Sequence, residues 1–230
     1  MQNPGRRTTR QELKEDELVT SAMKVWVYTQ ENFTKVLAGV GAVAILVLLG
    51  VFLYNDSLRK AQAAIEALGK VQVHVLNSEN GEAILAAERI VEDYPKDPAA
   101  DQALLALGNL YFDLGRTEEA RAAFQKRIDR FGLEGPGGYA AWSGVATVIE
   151  QLGTPGQAGD NYLTYVDQQP DSPFIPMALS EAGRCYRIAG NMTKAAESYR
   201  RIVRDYPGTP SRQLAESELN LMGEKPWTQR

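Results

Sequence analysis

The side chains able to make or break bonds are few and isolated. His74 is the only histidine and Cys185 the only cysteine in 230 residues. A Ser–His–acid relay or a zinc site needs partner groups at short, regular spacing, and neither residue has them. His74 stands alone in the run Val71–Leu76 and reads as structural. Cys185, beside Tyr186 in a helical pattern, reads as a buried, inert thiol; a single cysteine also excludes an intramolecular disulfide. Gly135-Pro136-Gly137-Gly138 lacks the Lys-Ser/Thr that follows a phosphate-cradling loop. The acid pairs Glu118/Glu119 and Glu15/Asp16 fit helix starts and solvated faces. Asn32-Phe33-Thr34 and Asn191-Met192-Thr193 match the glycosylation pattern, which short segments meet by chance. The net charge of −4 gives no basic footprint for nucleic acid. No catalytic residue, metal or cofactor is expected, so function must come from binding.

The elements that would position a binding surface are helical hairpins. In Asp101–Gly132, apolar or small residues at Leu104, Leu107, Gly108, Tyr111 and Leu114 share one helical face. Gly115 breaks the run, and a second follows with Ala120, Ala123, Phe124 and Ile128. Thr117, followed by Glu118 and Glu119, predicts an N-cap. Gly108 and Ala120 are small where two antiparallel helices must come close. Copies follow: Gly115 is succeeded by Gly153 and Gly190, 38 and 37 residues on. The hairpin ends Tyr94-Pro95, Phe131-Gly132, Gln169-Pro170 and Tyr206-Pro207 repeat at 37, 38 and 37. Asp97-Pro98, Thr154-Pro155, Ser172-Pro173 and Thr209-Pro210 predict helix starts with Pro at the first position. Leu133–Gly138 reads as the loosest linker.

The N-terminal part differs. Residues 1–35 read as a tail, basic over Met1–Arg10, leading into an interfacial amphipathic helix over Glu12–Phe33 whose Trp26 and Tyr28 suit a membrane boundary. Val36–Asn55 carries no charge, and twenty residues at ~1.5 Å each span about 30 Å, the thickness of the hydrocarbon core. It predicts a transmembrane helix. A cleaved signal is disfavoured by the length of the apolar run, the polar tail before it and the bulky Val51-Phe52-Leu53-Tyr54 after it. Six Lys/Arg in the tail place the N-terminus inside and the rest outside. Ser57–Val75 continues as helix, with no Pro or Gly between Tyr54 and Leu68. Glu82–Asp93 completes a degenerate first hairpin after the turn Asn77–Gly81.

The fold expected is therefore all-α: one transmembrane helix (36–55), then an α-solenoid over 56–230 of about four hairpins (56–95, 96–132, 133–170, 171–207) and a capping helix (208–223). In that last helix Leu214, Ala215, Leu219, Leu221 and Met222 fall on one side.

The Leu-Gly, Tyr, Ala and Phe offsets around Gly115 resemble the tetratricopeptide repeat, here somewhat longer than the common ~34 residues. The resemblance implies a concave groove lined by the first helix of each hairpin. Its groove-facing slots would be Gln102, Leu105, Asn109 and Phe112, then Ser143, Thr147 and Glu150, then Ser180, Arg184 and Arg187. Arg184 and Arg187 are one turn apart, so they either hold a partner's carboxylate or are ordinary surface arginines. Leu105 stands where the repeats that clamp a C-terminal carboxylate carry Lys, so that activity is not expected.

The layout of tail, single span and exported array resembles the ancillary subunit of the bacterial Sec translocon. That implies residence in a bacterial inner membrane, with the repeats in the periplasm binding other proteins or exported chains. The alternative is a scaffold subunit of one large membrane complex, respiratory or photosynthetic. Both are non-enzymatic.

Overall fold

The computed structural model describes residues 20, 23–24 and 26–224. The basic tail, the first part of the expected interfacial helix and the fraying expected of Lys225–Arg230 lie outside the described residues. Nine helices run between Phe33 and Leu221: α1 (Phe33–Leu76), α2 (Asn80–Asp93), α3 (Pro98–Asp113), α4 (Thr117–Phe131), α5 (Gly135–Gln151), α6 (Pro155–Gln168), α7 (Ile175–Ile188), α8 (Met192–Asp205) and α9 (Pro210–Leu221). Among the described residues there is no strand. The chain divides into two units, up to Arg59 and from Lys60 onward.

In the first unit, residues 26–31 are helical and Asn32 marks the turn into α1. Its Nδ2 donates to the Tyr28 carbonyl at 3.3 Å, and its Oδ1 accepts from Lys35 Nζ at 3.2 Å. The large apolar side chains from Leu37 to Tyr54 are exposed. Among the described residues α1 alone is long and apolar enough to cross a membrane, and none of its apolar window is buried by protein.

The second unit is an array of hairpins with an all-helical solenoid architecture. The end of α1 contributes Ala64 and Val71 to the first core, and α2 contributes Ala83 and Ala87. From α2 onward each helix packs on the next, and α3 also meets α5, as α7 meets α9. The first core gathers on Leu104, Leu107 and Phe124, the second on Tyr162, Leu179, Tyr186 and Tyr199; Ile149 packs against both. A hairpin leaves one face bare, so every core is shared with a neighbour.

Aromatic rings on one helix seat on glycines of another. A Cβ at Gly108 or Gly144 would lie 2.4 Å or 2.6 Å from the Phe124 ring, so this ring is held between α3 and α5. Tyr199 sits in the same way on Gly183 and Tyr186 on Gly159. Ala120, the second close-approach position read from the sequence, is fully buried.

The mid-hairpin glycines have a common geometry. Gly115, Gly153 and Gly190 have φ of 73°, 81° and 76°, the left-handed region open to glycine at little cost. Each closes a helix: Arg116 N–H donates to Tyr111 O, Thr154 N–H to Ile149 O and Asn191 N–H to Tyr186 O, as in a Schellman cap. The first hairpin uses Ser78 in the same role, at φ 59°, with Glu79 N–H donating to His74 O at 2.9 Å. His74 is structural here: its ring Nδ1 lies 2.6 Å from Glu79 Oε2 across this turn.

Several local expectations need correction. Asp97 caps α3 as expected, accepting from Ala99 N–H at 2.8 Å. Thr117, however, is the first residue of α4, and Arg116 holds the cap position. Ser172-Pro173 precedes α7 in a turn, where Ser172 Oγ accepts from Phe174 N–H; the helix opens at Ile175 with Pro176 near its start. Thr154 and Thr209 hold cap positions, but their hydroxyls donate back to Ile149 O and Tyr206 O. The supposed loose linker Leu133–Gly138 is largely the first turn of α5: a Cβ on Gly138 would lie 2.1 Å from Leu133 O, and one on Gly137 2.7 Å from Arg127 Nη2. On α9 only Ala215 and Leu219 are buried, whereas Leu214 and Leu221 are exposed.

Candidate functional site

The first helices of successive hairpins lie side by side and differ in character along the array. At the N-terminal end a groove of about 440 Å³ opens between the end of α1 and α3. Its lining is apolar at Leu68, Val75, Leu76 and Ala106 and carries amides at Gln72, Gln102 and Asn109, with one charge at Asp113. Gln102 and Asn109 are exposed; Leu105 and Phe112 are half-buried and pack against the core. An amide offers both a donor and an acceptor, so this lining can bond a peptide backbone while its apolar part takes side chains.

Toward the C-terminal end the expected groove residues bond to groups within the chain. Thr147 Oγ1 donates to Ser143 O at 2.9 Å, and Ser143 Oγ meets Tyr162 OH at 2.9 Å. Glu150 on α5 accepts two bonds from Arg184 on α7, from Nη1 at 2.8 Å and Nη2 at 2.7 Å. Arg184 Nε donates to Glu181 at 2.8 Å. Arg187 pairs with Glu218 of α9 at 3.3 Å. The bonds from Arg184 hold the Glu150 carboxyl below the usual carboxylate range, and Glu150 in turn raises the guanidinium. Arg184 and Arg187 therefore do not offer a vacant pair of charges to an incoming carboxylate; each already faces a carboxylate of a helix beside it. Ser180 is 8% exposed and is not a groove contact. Beside this ladder, burial pushes the Cys185 thiol up to about 12.

The sequence reading missed two features. A cavity of about 680 Å³ lies among α2, α3 and α4, lined in part by Val91, Leu107, Tyr111 and Ala123. Tyr111 OH donates to Glu88 at 2.7 Å across this gap, and the Arg116 guanidinium lies 4.5 Å from the Tyr111 ring. The small Ala122-Ala123 pair was the available sign that α4 leaves space there. The second is Arg127, 3% exposed, which forks onto Asp101 and also donates to Gly132 O at 2.6 Å. No motif marks a pair separated by 26 residues.

With the geometry in place, the comparisons decide the family. The family model of the tetratricopeptide repeat matches residues 68–132, 105–173 and 171–210, together well over half of the chain. The chain belongs to the tetratricopeptide repeat family. A tetratricopeptide repeat protein from Parabacteroides merdae shares the fold at 18% identity and a TM-score of 0.55, over 70% of this chain and 60% of that one. A Podosopora anserina protein of nearly identical tetratricopeptide-like repeats aligns at 17% identity and a TM-score of 0.51, over 69% of this chain and 84% of its own. No curated protein matches the sequence. Tetratricopeptide domains generally mediate protein–protein interaction and are typically non-catalytic scaffolds. The sequence resemblance to this superfamily therefore stands, while its narrower translocon-associated form is a matter for proposal.

Proposed function

We propose that this tetratricopeptide protein is a single-pass membrane protein that binds other proteins through the groove between α1 and α3. The observation that carries the reading is the contrast along the array: an open, mainly apolar, amide-edged groove at one end, and charges paired within the chain at the other. Such a lining suits an extended or helical segment with few charges. Gln102 and Asn109 are its polar contacts. Leu105 and Phe112 are half-buried against the core on the same helix, and Thr147, Glu150, Arg184 and Arg187 set the polar character of the face farther along.

Anchoring follows from α1. The large apolar side chains from Leu37 to Tyr54 are uncovered by protein and would lose on the order of 25 cal/mol for every Å² left in water, and a bilayer removes that loss. With the N-terminus inside, the repeats lie in the periplasm of a bacterial inner membrane. A groove with a single charge, at Asp113, suits exported chains, as expected of an ancillary subunit of the Sec translocon. The alternative is a scaffold subunit of one membrane complex, and it is favoured if the groove is permanently filled.

Mild-detergent purification of the full chain, followed by mass spectrometry, separates these. Translocon subunits with many different exported chains support the first reading, and a fixed set at constant stoichiometry supports the second. A photocrosslinking side chain at Asn109 should capture the same proteins. If it captures none while the purification does, the groove is not the binding site.

A further inference from the structure

The cavity of about 680 Å³ among α2, α3 and α4 is where the array departs from its own pattern. The same joint recurs 75 residues on, in the fourth hairpin, where Leu179, Glu197, Ser198 and Arg201 stand at the positions of Leu104, Ala122, Ala123 and Lys126. There the space is about 110 Å³. In the third hairpin Trp142 takes the position of Leu104, and its Nε1 donates to Asn161 O at 2.9 Å. Asn161 stands where Ala123 does. Two alanines thus leave the second joint hollow, and an apolar lining left open forgoes the contacts that a filled joint gains. The charges differ too. In the fourth hairpin Asp205 follows Arg201 by one turn and feels its charge. In the second, Lys126 is followed by Arg130, and both are exposed. Arg130 reaches a carbonyl, Val91 O at 3.2 Å, and Lys126 forms no ion pair among the described residues.

We infer that this cavity is a second recognition site, in which a short segment of a partner protein seats a large apolar side chain, flanked by a carboxylate on Lys126 and Arg130 and a basic group at Glu92. The chemistry of the occupant follows from the lining. The interior is apolar at Val91, Leu104, Leu107 and Ala123. On α2, Glu88 and Glu92 are one turn apart and form an acidic edge; on α4, Lys126 and Arg130 form a basic one. Glu119 also lines the cavity but is held by Arg116 at 2.9 Å. An occupant that satisfies both edges carries both signs, as a peptide segment does. A fatty acid would bring its one charge against the acids as well as the bases. Tyr111 OH on Glu88 and Arg130 on Val91 O tie α2 to α3 and α4. The volume is that of a pocket for a small ligand or a few side chains. No residue lines both this cavity and the groove between α1 and α3, so the inference stands apart from the groove and from the membrane anchor.

The test selects random peptides displayed on phage against the full chain in detergent. Ala122→Phe, at an exposed position on the cavity lining, fills the space and should leave the helical circular dichroism spectrum unchanged. Peptides kept by wild type and lost on Ala122→Phe should share a large apolar residue with an acid and a base beside it. Lys126→Glu should weaken a selected peptide by roughly tenfold, the low end for a close charge pair across an interface. Replacing that peptide's acid by Lys should restore binding to Lys126→Glu, which a loss of folding would not allow. Peptides that bind Ala122→Phe as well as wild type but are lost on Asn109→Ala belong to the groove, and would overturn this inference while supporting the groove. Selected peptides indifferent to Lys126→Glu would overturn it also. So would a selection that enriches no sequence; dodecanoate binding, or a dimeric mass, abolished by Ala122→Phe would then make the occupant a lipid or a second copy.

Discussion

Arg127 lies on Asp101 in a fork, Nε to Oδ1 at 2.5 Å and Nη2 to Oδ2 at 3.1 Å, joining α4 to α3. The third contact, to Gly132 O, closes the end of α4. The guanidinium side chain is 4% exposed and the carboxylate 27%. Removing one partner leaves a buried charge or an unpaired carboxylate, at a cost of about 3–5 kcal/mol. Arg127→Ala should therefore lower the urea midpoint of the full chain sharply. Arg127→Lys should recover only part, because an ammonium cannot make the fork and the Gly132 bond together. Equal midpoints for Arg127→Ala and wild type would show the fork to be idle.

This fork marks where sequence reading stops. Periodicity exposes a helix face because neighbours three and four residues apart share it. The mid-hairpin glycines were legible because a left-handed turn admits few residue types. The Asp101–Arg127 and Glu150–Arg184 pairs join residues 26 and 34 apart, and nothing local in either segment points to the other. Leu133–Gly138 misled for a related reason: glycine there signals a loop, but Gly137 and Gly138 are small to admit Arg127 and Leu133. Of the expected groove residues, Gln102 and Asn109 are exposed and line the space between α1 and α3. The two arginines face carboxylates within the chain, which spacing along one helix does not reveal.

Ser78 continues the glycine register into the first hairpin, 37 residues before Gly115. An L side chain in the left-handed region costs roughly 1 kcal/mol that glycine does not. Ser78→Gly should raise stability by up to about 1 kcal/mol, less the entropy that glycine adds to the unfolded chain. Gly153→Ala should lower it by about 1 kcal/mol, since its φ of 81° is strained for alanine while open space surrounds the position. Chemical denaturation of the two variants checks both signs; a stabilised Gly153→Ala would refute the cap assignment.

Acid should weaken the seam between α5 and α7. The bonds from Arg184 place the Glu150 carboxyl below its unfolded value of about 4.3. Lys194, then Tyr186, does the same for Asp160. Because the folded pKa is the lower one, the unfolded chain binds these protons first as pH falls. The stabilisation is whole above the unfolded value and is lost as pH drops through the folded one. Midpoints measured from neutral pH down through the carboxylate range should fall more steeply for wild type than for Glu150→Gln. Parallel curves would mean that the pair contributes nothing.

Cys185 reports on the same region without perturbing it. It is fully buried, and burial pushes its thiol up to about 12. Against an exposed thiol near 8.5, the thiolate at pH 8 is suppressed roughly a thousandfold before access is considered. The native chain should therefore be inert to a thiol-specific disulfide reagent at that pH and react fully in denaturant. Glu150→Gln removes one of two carboxylates facing Arg184, and it should speed the native-state reaction by allowing α7 to open more often. That rate tracks the population of the open form. Prompt reaction of the wild-type native chain would show that the α5–α7 seam does not shield the thiol.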